Sequence, residues 1–79
     1  TNVALTPAEA QRVAKMAMSG MSRAIRPVFA PFDGDVVFCL STAQIDRPDQ
    51  RPFTIARLGE LAASCLARAI ARGAHEAAR

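Results

Sequence analysis

Two acids bracket a glycine in Asp33-Gly34-Asp35, and a run of large apolar residues, Val36 to Leu40, follows at once. In an extended chain, residues i and i+2 share a side. The two carboxylates are therefore expected to stand together at the mouth of a buried segment. Carboxylates that close do not both ionise freely, and the pKa of one rises. Such a pair can orient an amine, act as acid and base, or position a nucleophile. The same residues also suit a plain turn, where Asp and Gly are common. An Asp-x-Asp metal site would need a third ligand, and none stands at a suitable spacing.

Other chemistry-bearing residues are few. Thr1 at a chain start can be a nucleophile with its own α-amine as base, although a first-position threonine also arises from processing alone. Ser41 and Thr42 close the apolar run, where hydroxyls are expected to satisfy backbone groups. His75 is the single histidine. It falls in a tail expected to fray, which cannot hold a general base in register. The sequence contains no Gly-rich phosphate loop, no metal-ligand spacing and no Ser/His/Asp set. Cys39 and Cys65 read as small buried hydrophobes, one in a strand and one in a helix. They form neither a disulfide framework nor a CxxC site, which fits a reducing, intracellular setting.

The elements that must position these residues follow from local signals. Thr1 to Leu5 reads as the end of a strand. Thr6-Pro7-Ala8-Glu9 is a helix start, with Thr6 as cap, Pro7 in the first turn and Glu9 completing a capping box. That helix is expected to run to about Arg26, because Pro27 disfavours helical geometry in the residue before it. Val13, Met16, Ala17, Gly20, Met21, Ala24 and Ile25 make its apolar stripe. Gln11, Arg12, Lys15, Ser19, Ser22, Arg23 and Arg26 make the other face, whose cations either grip an acidic partner or are simply solvated. A proline-containing loop, Pro27 to Phe32, precedes the Phe32–Thr42 element. Val36 to Leu40 lacks polar alternation, so both its faces are expected to be covered, as in a central strand of a layered α/β structure. Ala43 to Pro52 reads as an exposed connection. Thr54 is expected to cap a second helix, with Ile55, Leu58, Leu61, Ala62, Cys65, Leu66, Ala69 and Ile70 buried and Gly73 as its stop.

The chain has 79 residues, 51% of them hydrophobic, with no Trp or Tyr and four Phe. That is one small domain, which alone buries only about 60% of its unfolded surface. Much of the apolar surface is therefore expected to meet a partner. The formal net charge of +3 is spread over scattered cations. A nucleic-acid binder would more often show a dense patch or interleaved aromatics. No apolar run approaches the roughly 20 residues of a membrane span, and no signal peptide is read at the start.

Taken together, Thr1-Asn2-Val3-Ala4-Leu5-Thr6, Ala10-Gln11-Arg12-Val13-Ala14, the Met21–Val28 stretch and Phe32–Thr42 resemble the small C-terminal subunit of the DmpA-type aminopeptidases and amidases, peptidase family S58. The Asp33-Gly34-Asp35 version is most similar to the branch with nylon-oligomer hydrolase and pantetheine hydrolase. In the aminopeptidase branch the first of these positions is commonly a serine. The resemblance runs from Thr1 to about Thr42, and Thr54 to Ala71 is a compatible helix.

This resemblance implies an α/β (α+β) fold: a four-layer αββα sandwich of the DmpA/ornithine acetyltransferase type. Residues 1–79 would be a single fragment of it, in the order strand end, helix, strand, helix. It implies a precursor that cleaves itself, a new N-terminal Thr or Ser as nucleophile for amide hydrolysis, and small peptide-like substrates. It implies a larger N-terminal chain as partner, homo-oligomers, no cofactor or metal, and a cytoplasmic enzyme with neither nucleic acid nor membrane as partner. Asp33 and Asp35 carry over as active-site acids that support the nucleophile. Thr1 matches the end of the family's first strand rather than its start, so the nucleophile is expected upstream and the chain alone is expected to be inactive. Acyl transfer of the ornithine acetyltransferase type and a non-catalytic interaction module are the alternatives.

Overall fold

The computed structural model describes residues 1–25, 34–46 and 51–78. Two helices dominate it: α1, Pro7–Ala24, and α2, Arg51–Ala77. The start of α1 is the expected one. Thr6 Oγ1 accepts the Glu9 amide at 3.2 Å, and the Thr6 amide donates to Glu9 Oε1 at 2.8 Å. Each satisfies an amide that the first helical turn leaves without a partner.

The second helix departs from expectation at both ends. It starts at Arg51, three residues before Thr54, because Pro52 falls in the first turn, where a missing N–H costs nothing. At the other end it passes through Gly73 to Ala77. No glycine has a positive φ among the described residues, so Gly73 does not form the left-handed stop. His75 accordingly sits in the last helical turn rather than in a frayed tail.

Glu9 meets Arg51, and Cβ atoms built on Gly59 and Gly20 would run into Met16 and Ala63 respectively. The paired numbers rise together, so the helices run parallel. At Gly20 the approach is backbone to backbone: an added Cβ would lie 2.7 Å from the Ala63 carbonyl carbon and 2.9 Å from its Cα. The buried residues are correspondingly small: Val13, Ala17 and Gly20 on α1, Gly59 and Ala63 on α2. On α1 the buried residues all fall in the expected stripe, which gives out at Ile25, 39% exposed just past the helix end. On α2 the expected stripe is displaced, since Gly59 and Ala63 are buried while Leu61 is 52% exposed. Cys65 is exposed and Cys39 half-buried, which corrects their reading as buried hydrophobes.

Parallel helices oblige the chain to travel back between them. The eighteen residues of α1 advance about 27 Å at ~1.5 Å each, so the connection must cover that distance. Within it, Val37 and Cys39 are half-buried whereas Val36, Phe38 and Leu40 are exposed. That period of two marks an extended segment with one face on the helices and one face out.

The α/β expectation does not hold for this structure. Among the described residues there is no strand, only an isolated parallel bridge between Val3 and Ile45. The molecule is a helix pair carrying extended segments, 19 Å across its thinnest direction, room for about two helix diameters of ~10 Å rather than four layers. The physical reason is pairing. An apolar run becomes a strand only when a neighbour takes up its amides and carbonyls. No strand flanks Val36–Leu40 among the described residues. Nor are both its faces covered, since Phe38 is 87% and Leu40 76% exposed.

Candidate active site

Of the residues singled out for chemistry, Thr1, Ser41 and Thr42 come together, where the chain's beginning meets the returning segment. The Thr1 amine donates to the Leu40 carbonyl at 2.9 Å, and the Thr42 amide donates to the Thr1 carbonyl at 3.0 Å. Two more backbone bonds continue the pairing, Ile45 N–H to the Asn2 carbonyl at 2.8 Å and Ala4 N–H to the Ile45 carbonyl at 2.7 Å. Thr1 Oγ1 accepts the Val3 amide at 3.2 Å.

Ser41 and Thr42 behave as expected of hydroxyls at the end of an apolar run. Ser41 Oγ donates to the Val3 carbonyl at 2.6 Å and accepts the Ala43 amide at 3.2 Å. Thr42 Oγ1 points a weaker donor at the Thr1 carbonyl, 3.5 Å away. Ala43 takes φ 56°, a left-handed conformation uncommon outside glycine. The turn held by Ser41 is what keeps it there.

Asp35 is exposed, on the stretch leading into Val36. Asp33, and with it the geometry of the acid pair, lies outside the described residues. Asp35 is five residues from Leu40, so at ~3.3–3.6 Å per residue its Cα is at most about 18 Å from the residue that anchors the Thr1 amine. Beneath the segment is a cavity of about 180 Å³, lined by Thr1, Val13, Ala17, Phe38, Leu40 and Leu58 among others. Apart from Thr1 and Cys39, the side chains that line it are hydrocarbon, with no charged side chain among them. His75 is exposed near the far end of α2. Among the described residues no group of three His, Cys, Asp or Glu is placed to hold a metal ion. Among them, too, no helix is long and apolar enough to cross a membrane.

A second polar constellation went unforeseen. Arg51 grips Glu9 with both ends of its guanidinium, Nε to Oε2 at 2.7 Å and Nη2 to Oε1 at 2.6 Å. It also donates to the Ala4 carbonyl, and Asp46 stands 3.9 Å away. These bonds tie both helix starts to the N-terminal segment, and so hold Thr1 over the cavity. The hydrogen bond from Arg51, then that from the Thr6 amide, lowers the Glu9 pKa from 4.5 to about 2. Arg51 is correspondingly raised, first by its bond to Glu9. The signal was present, because Pro52 is compatible with a helix start and would have put Arg51 in the first turn. The partner could not be read locally, since Glu9 and Arg51 are 42 residues apart.

Comparison with known proteins gives these features a context. The model of peptidase family S58 matches residues 1–79. A protein of Mycobacterium tuberculosis named an uncharacterized aminopeptidase is 40% identical over 81 residues, covering 91% of this chain and 24% of its own length. Its namesake in Mycobacterium leprae is 37% identical over 79 residues, covering 89% of this chain and 22% of its own. A 6-aminohexanoate-oligomer endohydrolase of Paenarthrobacter ureafaciens is 42% identical over 48 residues, 61% of this chain and 14% of its own length. No solved structure matches at a significant level. The chain thus spans about a quarter of the length of the aminopeptidases it matches, 24% and 22%. With the family model covering every residue and the aminopeptidases matching nine-tenths of the sequence, the chain belongs to peptidase family S58.

Proposed function

We infer that this chain is the smaller part of a self-processing amide hydrolase acting on small peptide-like substrates. The observation that carries the reading is the family match over the whole of residues 1–79. The relatives' names agree in chemistry, since an aminopeptidase and an oligo-amide endohydrolase both break a C–N amide bond. The span of about a quarter of the aminopeptidases' length supports a larger companion chain from the same precursor.

In this reading a Thr or Ser exposed by self-cleavage, upstream of Thr1, attacks the substrate carbonyl. Its own α-amine takes the hydroxyl proton and passes it to the leaving amine. The resulting acyl-enzyme is cleared by water, which regenerates the hydroxyl and releases the acid. Asp33 and Asp35 orient and polarise the nucleophile and its amine. The pairing of residues 1–4 with residues 40–45 would carry the nucleophile's position back to the segment that bears these acids.

Denaturing intact-mass analysis of the full-length protein tests the processing step. Two chains are expected, the smaller beginning with Ser or Thr. A single uncleaved species that hydrolyses amides at full rate would overturn it. Transfer of an acyl group to an amine acceptor, without hydrolysis, would move the assignment to acyl transfer.

A further inference from the structure

The helix pair has two unlike flanks. One faces the returning segment across the cavity that Val13, Ala14, Ala17, Leu58 and Ala62 line. The other is an open groove. Two hollows of about 430 and 340 Å³ meet there at Met16. Its floor is Met16, Gly59 and Ala63, shallow because the helices touch at small residues.

Its α1 wall carries Arg12, Lys15 and Arg23. Spacings of three and eight residues put all three on one helical face, over a length of about 16 Å. None of the three has an ion pair among the described residues. Glu9, at the groove's end, is already taken up by Arg51, which leaves Glu60 as the acid on the opposite wall.

We propose that this groove docks an acidic amphipathic helix from another polypeptide, with carboxylates facing Arg12, Lys15 and Arg23 and small apolar side chains seated on Met16 and Ala63. Charge complementarity selects the occupant. Three cations in register face a partner that supplies anions at intervals of three or four residues, the spacing along one face of a helix. The apolar surface at Met16 disfavours a phosphate backbone, which offers no apolar side chains to seat there, and Glu60 sets the orientation of the docked helix, whose carboxylates must face the α1 wall rather than the α2 wall. None of these residues belongs to the site around Thr1, and the proposal holds whether or not the hydrolase reading does.

The test uses the full-length protein and a fluorescent helical peptide with Glu at every third or fourth position and Leu and Ala between, read by anisotropy. A matched peptide with Lys in place of Glu, and a DNA duplex, are the competitors. Binding of the Glu peptide is expected to weaken ~10-fold or more between about 0.05 and 0.5 M salt. The triple variant Arg12→Glu/Lys15→Glu/Arg23→Glu is expected to lose the Glu peptide and gain the Lys peptide. Circular dichroism checks its helicity, and the salt series on unmodified protein stands if the variant fails to fold. No binding of the Glu peptide, binding insensitive to salt, or binding unchanged by charge reversal overturns the proposal. Tighter binding of the duplex than of the peptide also overturns it and makes the groove a nucleic-acid surface.

Discussion

At the scale of single residues, the acids lend themselves to direct tests. Replacing Asp33 or Asp35 by Asn keeps size and removes charge. In the full-length protein each change is expected to lower amide turnover by about 10²–10⁴-fold, the range typical of a positioned proton-transfer or orienting group, with an unchanged melting temperature. Wild-type turnover in Asp33→Asn would remove the acids from the mechanism. Glu9 makes a different prediction. Its carboxyl is held at about 2 against an ordinary 4.5 by the hydrogen bonds from Arg51 and Thr6. A lowered folded-state pKa means stability that is fully present above about 4.5 and lost as pH falls towards about 2. Melting temperature followed from about pH 6 to about pH 2 should therefore fall less steeply in Glu9→Gln than in the parent, from a lower starting value. Parallel curves would mean that the Glu9–Arg51 contact is too well hydrated to matter.

At the scale of elements, local signals were legible and long-range ones were not. The Thr6–Glu9 capping box was readable because its partners are three residues apart. Thr6→Ala should cost about 1 kcal/mol, seen as a shift in the denaturation midpoint. The start of α2 was misjudged because Pro52 was read as part of a connection, although a first turn tolerates proline. Gly59 and Ala63 stand outside the expected α2 stripe because a glycine carries no hydropathy signal for burial, whereas the helices meet where the side chains are smallest. Gly20 and Gly73 make a matched pair of tests. Gly20→Ala drives a methyl into the Ala63 backbone and should destabilise by about 1–3 kcal/mol. Gly73→Ala meets nothing within 4 Å, about one turn before the end of α2, and should stabilise by up to about 1 kcal/mol. Thermal melts of the two variants should move in opposite directions.

At the scale of the whole molecule, the sequence's shortage of large buried side chains is reflected in a core of small residues. Val13, Ala17 and Ala63 are the buried apolar residues among those described, while Phe38, Leu40 and Phe53 are 75–87% exposed. The expectation that apolar surface outruns what this chain can bury agrees with that distribution. The layered sheet did not materialise, because Val36–Leu40 is apolar and extended but, among the described residues, has no strand beside it. The 79-residue chain prepared alone should bind a hydrophobic dye and associate at micromolar concentration. On the proposed reading, co-expression with the larger companion chain should suppress both. A monomeric, dye-negative fragment would show that the exposed side chains are tolerated without a companion.

The close crossing of α1 and α2 also constrains how this sequence can drift. Gly20 faces peptide backbone at Ala63, and no exchange of side chain at position 63 can move a carbonyl out of the way. Gly59 faces the side chain of Met16, whose Cε and Cβ would lie 2.6 and 2.9 Å from an added methyl. A smaller residue at position 16 opens that space. Across a lineage, position 20 should therefore stay glycine on its own account, whereas positions 16 and 59 should exchange bulk as a pair, large with glycine or small with alanine.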